Sequence, residues 1–403
     1  MRILNVTQSY APFFEFGGPP MKVRALAEGM AKQGHQVMVL TADWGIEKRL
    51  SDTQADPAAQ PGPFGRTQIV KAVTAIYLPT WLHVRAASWN PALRRYLRAR
   101  LADFDVVHIF GLYDFLGPRV AAGCRNRGIP YIVEPIGMFV PIVRNIRLKR
   151  LYHRLWGREM LRGASAIIAT AEQERDELIA GGVPPEKIRL RRNGVEAPST
   201  FPKRGNFRAS AKIPEQAKLV LFLGRLSPKK SPDLLLQAFG RLPHSHYADA
   251  AAPHLAFVGP DEGGIKSKLA EAAKKLEARE RVHFSGPLDG PAKWEAYRDA
   301  DIFVLPSQNE NFGNTAAEAV IVGTPVIVTE QCGIAPLLKD IAALVVRHHE
   351  EDLAVALSRL LEDTNLWNKL HDGCEVAASR MSWEEPLRDM EMIYSVLASG
   401  RKS

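Results

Sequence analysis

The chain has 403 residues, enough for two large domains at about 150 residues each. Hydrophobic residues make up 46% and charged residues 24%, the globular average, which excludes a disordered chain and a coiled-coil repeat. The 53 Lys and Arg outnumber the 44 Asp and Glu by 9, and the excess is uneven: residues 1–196 hold 28 basic and 17 acidic side chains (+11), and the remaining 207 hold 25 and 27 (−2).

In chain order, Arg2–Thr7 within MRILNVTQSYAPFF reads as a buried strand, with an apolar core too short and too interrupted for a signal peptide. A loop with Gly17, Gly18, Pro19 and Pro20 leads to a helix-period stretch, Met21–Gln33, and then to a strand, Gln36–Thr41. Residues 45–68, rich in Asp, Gln, Pro and Gly, read as a long surface loop. Asp105–Ile109, Tyr131–Glu134 and Ala164–Thr170 follow as strands. Residues 197–216, polar and broken by three prolines, read as a linker. A second series begins with LVLFLG at 219–224 and a helix at Leu234–Leu242. It continues through strands at His254–Val258, Val282–Ser285, Asp301–Leu305 and Pro325–Val328, and Trp383–Leu397 closes the chain as a helix. Strands alternating with helices predict an α/β fold of two parallel-sheet domains, 1–196 and 217–380, facing a cleft, with 381–403 as a terminal helix.

Cys124, Cys332 and Cys374 are widely spaced and match no metal-ligand pattern, which fits a reducing compartment. No run reaches the ~18 apolar residues of a spanning helix. The expectation is a cytoplasmic protein, with peripheral attachment to the inner face of the cell membrane left open by the basic half.

The chemistry concentrates in Ala300–Val328, ADIFVLPSQNENFGNTAAEAVIVGTPVIV. A strand ends at Pro306, a turn runs through Ser307–Gly313, and a helix begins near Asn314. A helix N-terminus offers backbone N–H groups and a positive dipole to a diphosphate, and Phe312-Gly313 lets the backbone approach a ligand. Glu310 in the turn can reach a sugar beyond the phosphates, and Glu318 inside the helix can face ribose hydroxyls. Taken alone, the two glutamates would be a cap and a solvated helix residue. Arg225 and Lys230, in Gly224-RLSPKK-Ser231 after a strand, can neutralise a leaving diphosphate, Pro228 stiffening the turn between them.

These residues resemble the retaining glycosyltransferases of family 4, which have the GT-B fold. The family's E-x7-E stands as Glu310-NFGNTAA-Glu318, and its G-R-L-x-x-x-K-G is matched at Gly224, Arg225 and Lys230 but ends in Ser231 where glycine is usual. Further landmarks are Gly17-Gly18-Pro19, Asn193-Gly194, Gly259 after a strand, and Val282-HFSG-Pro287, whose backbone in relatives frames the nucleotide base. The resemblance implies a donor site in the second domain with Gly18, Gly259, Val282, Asn311, Phe312, Gly313, Asn314, Thr315 and Glu318 at the nucleotide sugar. It implies Glu310, Arg225 and Lys230 at the reaction centre, an acceptor site in the first domain, and a terminal helix crossing back to that domain. No cofactor or metal is expected beyond the nucleotide-diphosphate sugar as co-substrate. An epimerase or phosphorylase on the same plan, and a non-catalytic membrane-docking protein, are the alternatives.

Two departures matter. The family's H-x-H-G stands as His108-Ile-Phe-Gly111, and its S-P-H-G-M as Glu134-Pro-Ile-Gly-Met138. In relatives the histidine replaced by Ile136 contacts the donor sugar near O6. Ile136 cannot donate a hydrogen bond, so either the donor is a 6-deoxysugar or Glu134 recognises it.

Among tempting signals, Asp299-Ala-Asp301 has the form of a metal-binding D-x-D but reads as a solvated helix end, and His348-His349 as a surface turn. The basic half contains Arg144–Gly163, with Arg147, Lys149, Arg150 and Arg154 among seven cations and Leu148, Leu151, Tyr152, Leu155, Trp156 and Met160 at helical spacing. Ser88–Asp103 repeats the pattern with Leu93, Tyr96, Leu97 and Leu101 among arginines. Such a helix either lies on anionic lipid or packs its stripe into the core, and the sequence leaves both open. No nucleic-acid-binding module is present, so nucleic acid is not an expected partner.

Overall fold

The computed structural model describes residues 1–14, 17–51, 58–84, 87–140, 146–242, 252–276 and 278–401. It divides into two compact units, Met1–Gly194 with Trp383–Ser403, and Val195–Ser382.

The first unit carries strands β1 (Arg2–Thr7), β2 (Gln36–Ala42), β3 (Gln60–Gly62), β4 (Gly65–Val70) and β5 (Val73–Leu78). A separate ribbon, β6 (Leu82–Val84) and β7 (Ala87–Trp89), precedes β8 (Val106–Phe110), β9 (Tyr131–Glu134), β10 (Ala166–Ala169) and β11 (Ile188–Leu190). The main sheet runs β11-β10-β9-β8-β1-β2-β5-β4-β3. It is parallel except at its β5-β4-β3 edge. The region expected as a surface loop, 45–68, therefore contains a helix at Ile46–Ser51 and an antiparallel hairpin that covers the edge of β5. Residues 52–57 of that region lie outside the described residues.

The helix Glu384–Ser399 belongs to this first unit. Met390 and Tyr394 on it are fully buried in one cluster with Ile3, Val23 and Leu26. Its apolar stripe has to be covered, and β1 with the Gly18–Lys32 helix supplies the cover.

The second unit has β12 (Leu219–Leu223), β13 (His254–Val258), β14 (Val282–Gly286), β15 (Ile302–Leu305), β16 (Val326–Thr329) and β17 (Ala343–Val346). All pair in parallel, in the order β14-β13-β12-β15-β16-β17. Every residue of β12, β13, β15 and β16 is buried, which is why they read as continuous apolar runs. The strand order reverses between β12 and β15, so a crevice opens beyond their carboxyl ends, where ligands bind in sheets of this kind.

Two sequence expectations are corrected here. The stretch 197–216 carries a helix, Asn206–Ala211, whose Phe207 joins Ile213 in the core of this unit. The reason is Arg208, which is buried and donates to Asp301 (2.6 Å) and to the Asp299 carbonyl (3.0 Å). Asp299 and Asp301 are thus not solvated: they are buried and accept from Gly205 N, Arg208 N and Leu219 N at 2.5–2.9 Å. Buried carboxylates need such partners, and these tie the start of the unit to its sheet.

Candidate active site

Beyond the sheet, the ends of β12, β13 and β14 are tied by Gly224 N–H to Val258 O (2.9 Å) and Gly259 N–H to Gly286 O (2.7 Å). Gly259 has φ 141°, and a Cβ there would stand 1.9 Å from Gly224 O, so no other residue fits. Arg225 leaves β12 with 55% of its side chain exposed and lies 3.9 Å from Glu262. The turn Pro228–Lys230 then leads to the Pro232–Gly240 helix through Ser231. Ser231 is buried at φ 48°, a left-handed conformation, and its hydroxyl pairs with His348 Nε2 at 2.9 Å. Serine therefore occupies a place suited to glycine by gaining a hydrogen bond that glycine cannot make.

The loop from Pro306 to Gly313 is pinned on both sides. Gln308 N–H donates to Lys229 O (2.9 Å), and the Thr329 hydroxyl donates to Ser307 O (2.6 Å). Glu310 N–H donates to Gln331 O (3.0 Å), Gly333 N–H to Glu310 O (2.9 Å) and Ile334 N–H to Phe312 O (2.7 Å). This brings Lys230 and Glu310, 80 residues apart, into an ion pair whose side chains are only 16% and 20% exposed. Burial pushes the Glu310 carboxyl up, but the Lys230 ammonium, with Lys229 and Arg225 beyond it, outweighs burial and holds it below the usual range.

Gly313 caps the Asn314–Ile321 helix at φ 111°. A Cβ there would meet Ile334 Cγ2 at 2.9 Å, so the loop can dock only with glycine at this point. The Phe312 ring is in the core, and its carbonyl is taken by Ile334 N–H. Glu318 is buried and held by Lys293 (2.8 Å) and the Tyr297 hydroxyl (2.8 Å), both on the Gly290–Asp299 helix. Lys293 and Tyr297 were not legible as site residues; their i, i+4 spacing on one helix is the only trace of it. Among the described residues, Ser307 Oγ, Asn311 Oδ1 and Thr315 Oγ1 are buried side-chain atoms without a hydrogen-bond partner. Buried polar atoms are ordinarily satisfied, and these three lie together on the loop and at the helix start, where they are open to a polar ligand. Val282 is core, but its strand borders a pocket of about 690 Å³ with Phe284, Ser285 and Leu288. Among the described residues no group of three His, Cys, Asp or Glu is placed to hold a metal ion.

In the first unit Gly18 opens the Gly18–Lys32 helix. Glu134, the second of the two candidate donor-sugar readers, is not available for that task. It is fully buried and accepts from Lys22 (2.5 Å) and from Arg191 at both oxygens (2.7 Å each), with His108 Nε2 at 3.5 Å. His108 Nδ1 lies 2.7 Å from the Tyr394 hydroxyl of the terminal helix. Sequence reading missed this network because Lys22 and Arg191 lie 112 and 57 residues from Glu134. Ile136 is half-buried at φ 56°, a strained conformation for a β-branched residue.

The two basic segments part company. In Ala92–Arg100 and the turn after it, Leu93, Tyr96, Leu97 and Leu101 are all core. The Ile146–Tyr152 helix runs through a π-turn, His153–Gly157, into Arg158–Gly163, and buries only Tyr152, Gly157, Met160 and Leu161. Arg147, Arg150, Arg154 and Trp156 are exposed, whereas Lys149 stands over the Tyr113 ring at 5.2 Å. Arg144 lies outside the described residues. Among those residues no helix is long and apolar enough to cross a membrane.

Comparison with known proteins agrees with this geometry. Residues 203–374 match the model of glycosyl transferases group 1, and residues 17–194 that of the glycosyl transferase 4-like domain. D-inositol 3-phosphate glycosyltransferase 1 of Catenulispora acidiphila is 30% identical over 323 residues, 74% of either chain. Against similarly named proteins of Thermomonospora curvata and Streptomyces bingchenggensis, the chain spans 59% and 56% of the relative's length. Among solved structures, sucrose-phosphate synthase of Thermosynechococcus elongatus superposes with a TM-score of 0.77 at 20% identity, over 99% of each chain. Anabaena HepE, solved with UDP and glucose, does so at 0.74 and 17%, over 98% of this chain and all of that one. At such identities the likeness speaks for the fold, GT-B.

Proposed function

The chain belongs to the group 1 glycosyltransferases of family 4, and we propose that it transfers a sugar, with retention, from a nucleotide-diphosphate sugar to an acceptor hydroxyl. The observation that carries the proposal is the Lys230–Glu310 pair beside the start of the Asn314–Ile321 helix, at the switch point of the second sheet. A diphosphate seated there meets the Lys230 ammonium, the Arg225 guanidinium and the dipole of the helix. Lys230 then exchanges a carboxylate for a phosphate, which frees Glu310 for the sugar. Glu318, already held by Lys293 and Tyr297, is poised to accept from ribose hydroxyls. Charge develops on the leaving phosphate and on an oxocarbenium-like carbon. The two cations stabilise the first and Glu310 the second. The acceptor hydroxyl attacks on the leaving-group face, and the phosphate takes its proton.

A panel of nucleotide sugars read by thermal shift tests donor binding. A donor at about a hundred times its Kd should add roughly 2.7 kcal/mol of stability, and no response to any nucleotide diphosphate would refute the assignment. Product configuration at the anomeric carbon, read by NMR, tests retention.

With Glu134 buried, Ile136 supports a donor without a C6 hydroxyl. A site offering no partner to a hydroxyl loses about 1–3 kcal/mol by burying it, so a 6-deoxyhexose donor should exceed the matching hexose in kcat/KM by roughly tenfold or more. A preference for the hexose rules this out. For the acceptor, the +11 of residues 1–196 favours an anionic, lipid-linked or polysaccharide-precursor glycan, reached from a peripheral position at a membrane.

A further inference from the structure

Two elements carry most of the exposed large apolar side chains described in the first unit, with others, such as Ile69 and Val396, standing elsewhere. On the β6–β7 ribbon, Trp81, Leu82 and Trp89 are 77%, 64% and 47% exposed. Among the described residues its two strands form a sheet of their own, Leu82 against Trp89, and Trp81 N–H donates to Trp89 O at 3.1 Å. On the 146–163 helix, Leu148, Leu151, Leu155 and Trp156 are 65%, 50%, 50% and 42% exposed. These two elements, some sixty residues apart in sequence, form one surface. The Trp156 ring meets the Phe115 ring edge-on at 5.8 Å. The Arg119 guanidinium spans from Phe115 (6.0 Å) to the face of Trp89 (4.0 Å).

We propose that this ribbon-and-helix surface is a docking site for an anionic lipid bilayer, with the ribbon tryptophans and the helix leucines entering the interface and Arg147, Arg150 and Arg154 meeting lipid headgroups. It deepens the membrane-linked acceptor proposed above and rests on that reading only for the acceptor's location. The charge pattern selects the occupant. From Ile146 to Arg158 the helix carries cations and no acidic residue. A second copy of the chain would oppose like charges across the contact, whereas a bilayer with anionic headgroups complements them. Tryptophan and leucine on a two-stranded ribbon and on a basic helix suit the boundary between headgroups and acyl chains, where an aromatic ring keeps its N–H hydrated.

The test is co-sedimentation of the full chain with phosphatidylcholine vesicles, with and without about one-third phosphatidylglycerol. Binding is expected to the anionic vesicles and to fall with salt. Each arginine near such a surface is worth roughly fivefold in partitioning, so Arg147→Gln/Arg150→Gln/Arg154→Gln should weaken binding by about a hundredfold. Trp81→Ser/Leu82→Ser, which changes no charge, should weaken it at least tenfold if the ribbon inserts. Equal binding to both vesicle types, unchanged binding in either variant, or a surface that only converts dimer to monomer on mutation overturns the proposal. Thermal stabilisation by nucleotide, measured on the same samples, keeps the readings apart. Donor binding without vesicle binding sinks the docking surface alone, and vesicle binding without any donor response sinks the transferase reading.

Discussion

Glu310→Gln is expected to lower turnover by roughly 10²–10³-fold while nucleotide affinity changes less than about threefold. The amide keeps the shape of the side chain and can still touch a sugar hydroxyl, but it removes the negative charge that faces the positive reaction centre in the proposed mechanism. That charge is in place when the donor arrives: burial pushes the carboxyl up, but the Lys230 ammonium outweighs burial and holds it below the usual range. Nucleotide affinity should not fall, because the diphosphate interacts with Lys230, Arg225 and the helix start, and the change removes only the carboxylate that Lys230 exchanges for the phosphate. Affinity measured calorimetrically for the nucleotide diphosphate, beside kcat for the intact donor, separates the two effects. Equal losses in both would show Glu310 to be a binding or packing residue.

The largest stability effect is expected at Glu134. Removing one partner of a buried ion pair costs about 3–5 kcal/mol, because the others stay buried without compensation. Glu134→Gln leaves Arg191, fully buried, and Lys22, 4% exposed, facing a neutral amide. Burial already pulls the Lys22 ammonium below the ordinary lysine value, and it then loses its counter-ion. A fall in Tm of about 10 °C is expected for a unit of this size. The sign with pH is fixed by the carboxyl: burial raises it, but Arg191 and Lys22 win, and it lies well below its unfolded value. Its contribution is therefore complete above the unfolded value, about 4.3, and is lost as pH falls from there through the folded value. The gap between the native chain and the variant should be constant from pH 7 to 5 and narrow in stronger acid. A gap that narrows near pH 6 would point instead to His108, which burial keeps neutral.

Much of the second unit was legible because its signals are local. An uninterrupted apolar strand, a proline at its end, a glycine-bearing turn and a helix start occupy consecutive residues from Ile302 to Ile321, and local geometry follows from local sequence. The motif carrying Glu310 and Glu318 reads off the same way. What holds those two carboxylates does not, since Lys230 reaches Glu310 across 80 residues and Lys293 reaches Glu318 from another helix. The Asp299/Asp301 pair misled for the same reason. Two acids at a strand entrance look solvated until Arg208, more than 90 residues earlier, is folded against them.

By itself, then, the sequence determined the α/β class, the paired sheets, the turn chemistry around the donor-site motif and the uneven charge. All of these depend on composition or on residues within one turn of each other. Only the tertiary structure decided which polar groups are buried together and which apolar stripes are covered. The two basic segments show why. Ala92–Leu101 and Ile146–Gly163 carry the same alternation of arginines with leucine and aromatic residues, yet the first buries its stripe and the second leaves most of its own exposed. Periodicity states which face of a helix is apolar. Whether anything lies opposite that face depends on the rest of the chain, and along residues 146–156 the apolar side chains Leu148, Leu151, Leu155 and Trp156 stay exposed.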